Sequence, residues 1–145
     1  CCGEPLHAEG DEVFLFPTPQ QLCGLSGAQL MGCGLGYRTR YIQNAAAQTS
    51  SGTLDLGALA ALPDDALFSR LLELDGVGKK VANCVCLFGY GRTAMAPIDV
   101  WIQRLIDEEF GGRDPFPSYG QQAGIVQQYL FYYKRSTSRS VAHKK

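Results

Sequence analysis

The stretch LLELDGVGKKVANCV, residues 71–85, constrains this chain more than any other part of it. An apolar helix end runs into a turn carrying Gly76 and Gly78, and a second helix restarts at once on Lys79 and Lys80. Glycines there permit positive φ and a close approach of backbone to a ligand. The N–H groups that open the second helix, together with its dipole, make an anion site that suits a phosphate regardless of base sequence. A plain helix–turn–helix joint carries the same pattern, so the turn alone does not decide between a ligand site and a structural corner.

The rest of the chain is punctuated in the same way. Thr18 followed by Pro19 reads as an N-cap with a first-position proline, and Ser26 opens a second short helix that the glycines of GCGLG stop. YRTRYIQNAAAQTSSG predicts a helix of roughly four turns, LDLGALAAL a short one, and Pro63-Asp64-Asp65 the start of another with acids where the helix dipole favours them. A helix beginning at DVWIQRLIDEEF stops at Gly111 and Gly112, and a last one covers about 119–135, with Val126, Tyr129, Leu130 and Tyr133 as its apolar stripe. Residues 1–17 read as irregular, with EVFLFP a short extended piece, and neither a strand pair nor an internal repeat is evident. The expected fold is therefore all-α, a compact multi-helix domain over 18–135 with its hairpin at about 71–89, followed by a flexible basic tail at 136–145.

Composition narrows the classes. A chain of 145 residues makes one domain of ordinary size, and it has no apolar run long enough for a membrane span and no leader pattern, which predicts a protein without membrane partners. Six cysteines without a CxxC pair or a histidine-rich follow-up argue for reduced thiols rather than zinc or an iron–sulfur cluster. A net charge of −1 gives no bulk electrostatic grip on nucleic acid, yet the first 36 residues hold no Lys or Arg while everything after Asp114 holds no acid. Arg38, Arg40, Lys79 and Lys80 add two local basic clusters.

Helix geometry separates the paired lysines. Lys80 and Cys84 are four apart and share a face, whereas Lys79 is rotated by about 100° toward solvent or a phosphate. An amine in the first turn of a helix, beside a half-buried surface, has its ammonium form opposed by the dipole and by desolvation, which favours a nucleophile. An ordinary surface lysine is the alternative for any one such residue. Downstream, Pro97 excludes helix from the preceding residue and Asp99 stands at an N-cap, fixing a carboxylate 19 residues after the lysine.

At LDGVGKKVANC and PIDVW the sequence resembles the helix–hairpin–helix DNA glycosylase superfamily, and GLGYRTRYI and AGIVQQYLF extend the likeness in order along nearly the whole chain. It is most similar there to the 8-oxoguanine DNA glycosylase/lyase branch. The resemblance implies base excision repair of duplex DNA containing an oxidised purine or an abasic site, by a monomer that requires no cofactor. Lys80 would attack the sugar C1′ and form the Schiff base for strand cleavage, and Asp99 would stabilise the oxocarbenium charge. Gln127 and Phe131 would read and stack the extruded base with Cys84 closing the pocket. Tyr37 and Arg38 would support the vacated duplex, while Lys79, Trp101 and the amides of Gly76, Gly78 and Val81 would meet the DNA backbone. Carbonyls of Leu72, Leu74 and Val77 would hold a structural monovalent or calcium cation. The implied location is the bacterial cytoplasm, at the nucleoid, or the nucleus if the source is eukaryotic.

The departures from the family pattern are also informative. Asp75 replaces a usual proline and sets an acid beside the phosphate site; Trp101 replaces a histidine of the animal enzymes, which suggests the bacterial form. The resemblance further implies an N-terminal β-rich domain outside these residues, consistent with a chain that begins Cys-Cys. Two rival readings are a non-catalytic helix–hairpin–helix module that binds duplex backbone only and a helical protein-interaction domain.

Overall fold

The computed structural model describes residues 3–8 and 11–142, which form two compact units. One runs up to Ala61 and takes in Leu74–Gly76; the other comprises Leu62–Glu73 and continues from Val77.

The first unit opens with a strand pair that the sequence pattern did not reveal. β1 (Pro5–Ala8) and β2 (Asp11–Phe14) are antiparallel, with Leu6 opposite Val13 and His7 opposite Glu12. Only EVF within β2 had the apolar content of a strand; its partner PLHA is too short and too mixed to show the alternation that marks one. Leu15 N–H donates to Glu4 O at 2.9 Å and prolongs the ladder.

Two capping boxes then set short helices α1 (Pro19–Cys23) and α2 (Gly27–Gly32). Gln21 N–H donates to Thr18 Oγ1 at 3.2 Å while Thr18 N–H donates to Gln21 Oε1 at 2.8 Å; Ser26 and Gln29 repeat the exchange. A single 3₁₀ turn at Gly36–Arg38 leads into α3 (Thr39–Ser50), and α4 (Leu56–Leu59) is capped by Asp55. Leu30, Ala46, Leu54 and Leu59 are the buried apolar residues of this unit.

The second unit holds α5 (Asp64–Leu72), α6 (Lys79–Cys84), α7 (Val100–Glu109) and α8 (Ala123–Ala142). Its core gathers Ile102 and Ile106 of α7, Phe116 of a preceding 3₁₀ segment and Ala123 of α8, with Ile98, Leu130 and Phe131 packed against them. The spacing of Ile102, Leu105 and Ile106, all buried, is that of one helix face.

The last helix departs from its expected bounds and stripe. Gly120 has φ +51 and breaks the helix, which therefore starts at Ala123 rather than near 119 and continues to Ala142; residues 143–145 of the expected tail lie outside the described residues. Tyr129 and Tyr133 are exposed, and the buried positions are Ala123, Gly124 and Gln127. Gly124 sets this rotation: its N–H donates to Thr93 O at 2.8 Å, and a Cβ there would lie 2.4 Å from Met95 O. That close approach turns residues 123, 124 and 127 inward and the tyrosines out. Among the described residues, no helix is long and apolar enough to cross a membrane.

Candidate functional site

α6 begins with Gly78 as N-cap, at φ −94 and ψ 177, so of the two turn glycines only Gly76, at φ +80, uses the left-handed region. Ala82 is fully buried and seats the helix, with its N–H donating to Gly78 O at 2.9 Å. That leaves Lys79, Lys80 and Val81 exposed on the outer side, with Cys84 half-buried one turn beyond Lys80. Lys80 is itself exposed, and the half-buried surface beside it is that of Cys84. After Cys84 the helix widens into a π-turn, Val85–Gly89, that buries Cys86 and Leu87 and presents Phe88.

Asp99 caps α7 through one oxygen. Its Oδ1 accepts from Trp101 N–H at 3.0 Å and from Ile102 N–H at 2.9 Å, and neither bond uses Oδ2. The carboxylate is thus immobilised by the backbone while its other oxygen stays out of the cap.

These elements enclose a small cavity of about 130 Å³ lined by Lys80, Cys84, Phe88, Pro97, Asp99, Gln127, Gln128 and Phe131. It is smaller than the roughly 300–1,000 Å³ of most small-molecule pockets and suits a single flat ring system. Gln127 is only 2% exposed, and its Oε1 accepts from Gln128 Nε2. An outer groove of about 500 Å³ is lined by Lys80, Ile98, Asp99, Val100 and Gln103. Lys80 and Asp99 belong to both hollows, so an amine and a carboxylate stand where the inner pocket meets the open groove.

Five residues singled out from the sequence, Lys80, Cys84, Asp99, Gln127 and Phe131, therefore meet in one place. Phe88 and Gln128 were missed. Phe88 lies eight residues after Lys80, about 80° off its line on a regular helix, so the spacing alone does not place it at the pocket. Trp101 does not line either hollow; it is half-buried, with Arg104 5.4 Å from its ring centroid. Tyr37 and Arg38 belong to the first unit, both exposed, with the Arg38 guanidinium 4.7 Å from the Tyr37 ring centroid. Leu72 ends α5, Leu74 lies in the turn and Val77 follows it, all three half-buried.

The ionisation of the Cys86 thiol is displaced. Burial pushes it above the ordinary thiol value and the charge of Asp64 adds to the effect, while Arg92 and a backbone hydrogen bond oppose it.

No family model matches this chain. It is 30% identical over 161 aligned residues to the probable N-glycosylase/DNA lyase of Methanothermobacter thermautotrophicus, covering 92% of this chain and 51% of that protein. Its fold matches that of MBOgg1, solved in complex with a low-affinity DNA ligand, at a TM-score of 0.86 and 32% identity, over 94% of this chain and 50% of that one. The Clostridium acetobutylicum 8-oxoguanine glycosylase/lyase, solved with duplex DNA bearing cytosine opposite 8-oxoguanine, gives the same TM-score of 0.86 at 27% identity, over 94% and 50% of the two chains. With the glycine turn, the paired lysines and the capped aspartate in this order, the chain belongs to the helix–hairpin–helix DNA glycosylase superfamily. The relatives it is similar to there are N-glycosylase/DNA lyases, an 8-oxoguanine glycosylase/lyase among them. The chain spans about half the length of the relatives it matches.

Proposed function

We propose that this chain carries the chemistry of a base excision repair enzyme that removes 8-oxoguanine from duplex DNA and then cleaves the strand at the abasic site. The observation that carries the reading is the shared position of Lys80 and Asp99 between a ring-sized pocket and an open groove. An extruded nucleotide needs that division, with its base enclosed and its sugar and phosphates outside. Gln127 would offer its amide to the polar edge of the base, and Phe131 and Cys84 would cover its faces.

In the first step the C1′–N9 bond breaks and the base leaves with the electron pair, while Lys80 Nζ bonds to C1′. Asp99, held by two backbone amides, would stabilise the positive charge that develops on the sugar. Sugar ring opening then gives an imine between Lys80 and C1′. Loss of a C2′ proton expels the 3′ phosphate by breaking the C3′–O bond. This sequence draws on the amine and carboxylate of the chain itself. The partner would be duplex DNA bound by a monomer, in the nucleoid of a bacterium or the nucleus of a eukaryote.

Borohydride reduction in the presence of an 8-oxoguanine duplex tests the reading. A covalent protein–DNA adduct is expected, and it should vanish in Lys80→Gln. An adduct that persists in that variant excludes Lys80 as the nucleophile, and salt-sensitive binding with no adduct in the unaltered chain would indicate a backbone-binding module instead.

A further inference from the structure

An acid in a turn offered to phosphate poses an electrostatic problem, and the first compact unit contains a device that answers it. Asn44 Nδ2 donates to Asp75 Oδ2 at 3.1 Å, and Arg40 Nη2 lies 3.7 Å from Asp75 Oδ1. Each carboxylate oxygen thus has its own partner, and both partners come from α3, four residues apart. The Arg40 guanidinium also sits 4.9 Å from the centroid of the Tyr41 ring. That ring covers Gly76 so closely that a Cβ there would lie 2.4 Å from Cγ and Cδ2. Tyr41 in turn meets Tyr37 edge-on, with centroids 6.2 Å apart and planes at 83°.

We propose that Asp75 is a positioning residue: with Asn44, Arg40 and Tyr41 it forms a latch that fixes the tip of the hairpin turn in the conformation that receives a DNA phosphate. The latch provides the stiffness that a proline ring would give at the same place, and Arg40 offsets the charge of the acid. Through Tyr41 the same scaffold carries Tyr37, the residue proposed to support the duplex. The link from the latch to DNA rests on the function proposed above, whereas the latch itself does not.

The experiment has two arms, both on the full 145-residue chain. In the free protein, Asp75→Ala and Asn44→Ala should each speed amide exchange at Asp75 and Gly76 by roughly 5- to 10-fold, the worth of one such hydrogen bond, with the double variant no faster than either single one. Asp75→Asn keeps an acceptor for Asn44 and should restore most of the protection, while amides of α8 stay as they were. On a duplex carrying a tetrahydrofuran abasic site, Asp75→Ala and Asn44→Ala should raise the half-saturation concentration by a similar factor. The loss should fall on half-saturation and not on the rate of borohydride trapping with an abasic substrate at saturation. Tighter binding by Asp75→Ala with no effect of Asn44→Ala would make Asp75 a bare repulsive charge and overturn the proposal. Unchanged exchange at the turn in both variants overturns it as well. Exchange that responds in a chain that binds no duplex leaves the latch standing and defeats the glycosylase reading.

Discussion

Lys80 and Asp99 line the same two hollows, an inner one closed by Gln127 and an outer one reaching Gln103. They come from the starts of two different helices, and the cap bonds of Asp99 tie its carboxylate to the terminus of α7.

Asp99 has a structural task and a proposed chemical one, and two substitutions separate them. Asp99→Asn retains a good cap and should unfold within about 0.5 kcal/mol of the unaltered chain, whereas Asp99→Ala should lose about 1 kcal/mol. Both should slow base excision by roughly 10²- to 10³-fold, because each removes the charge facing the sugar. Thermal unfolding alongside single-turnover excision reads both effects.

Gln127 is a buried amide in an otherwise apolar helix face. Gln127→Leu keeps the volume and removes the hydrogen-bonding groups, so the preference for 8-oxoguanine over guanine should fall by at least about 10-fold. Competition between the two duplexes measures this, and an unchanged ratio would remove Gln127 from base recognition.

Glycine substitutions should divide by location. A Cβ at Gly124 meets the Met95 carbonyl at 2.4 Å, so Gly124→Ala should cost about 2 kcal/mol or more. A Cβ at Gly78 meets nothing within 4 Å and its φ of −94 suits any residue, so Gly78→Ala should cost only the poorer N-cap of alanine, about 0.5 kcal/mol. Its added methyl would still stand where a phosphate approaches, and affinity for duplex DNA should drop. Chemical denaturation and a binding titration test the pair.

Cys86 gives a pH dependence with a definite sign. Its folded-state ionisation lies above the ordinary value of 9.0, so an unfolded chain releases this proton first. The associated stability is complete below about pH 9 and is lost as pH rises through the folded value. The melting temperature of the unaltered chain should therefore fall more steeply from about pH 8 to pH 10 than that of Cys86→Ala. In the native protein, alkylation should reach Cys23 and Cys33, which are exposed, well before the buried Cys86.

The legible parts of the fold were those written locally. Thr18, Ser26 and Asp99 stand at helix starts because short polar side chains can satisfy free amides there, a preference that needs no tertiary knowledge. The meeting of Lys80 with Cys84, and of Gln127 with Phe131, followed from the four-residue step. What escaped depends on distant partners. The pairing of PLHA with DEVF is set by strand contact rather than composition, and the inward turn of α8 is set by the fit of Gly124 against residues 93–95. The partners of Asp75 lie 31 and 35 residues away in sequence, so the acid looked unaccompanied until α3 was in place beside it.

The π-turn at Val85–Gly89 has a consequence for how this sequence can change over time. An unbroken α-helix would carry Phe88 about 80° past the line of Lys80, and a wider turn rotates less per residue and brings it back toward that line. The length of the segment is then as restrictive as its composition. Inserting one residue before Phe88 would carry it off that line again, whereas deleting one and restoring a regular helix would leave it seven steps from Lys80, only about 20° off the line, so insertions should be purged there more strictly than deletions, even where substitutions are accepted.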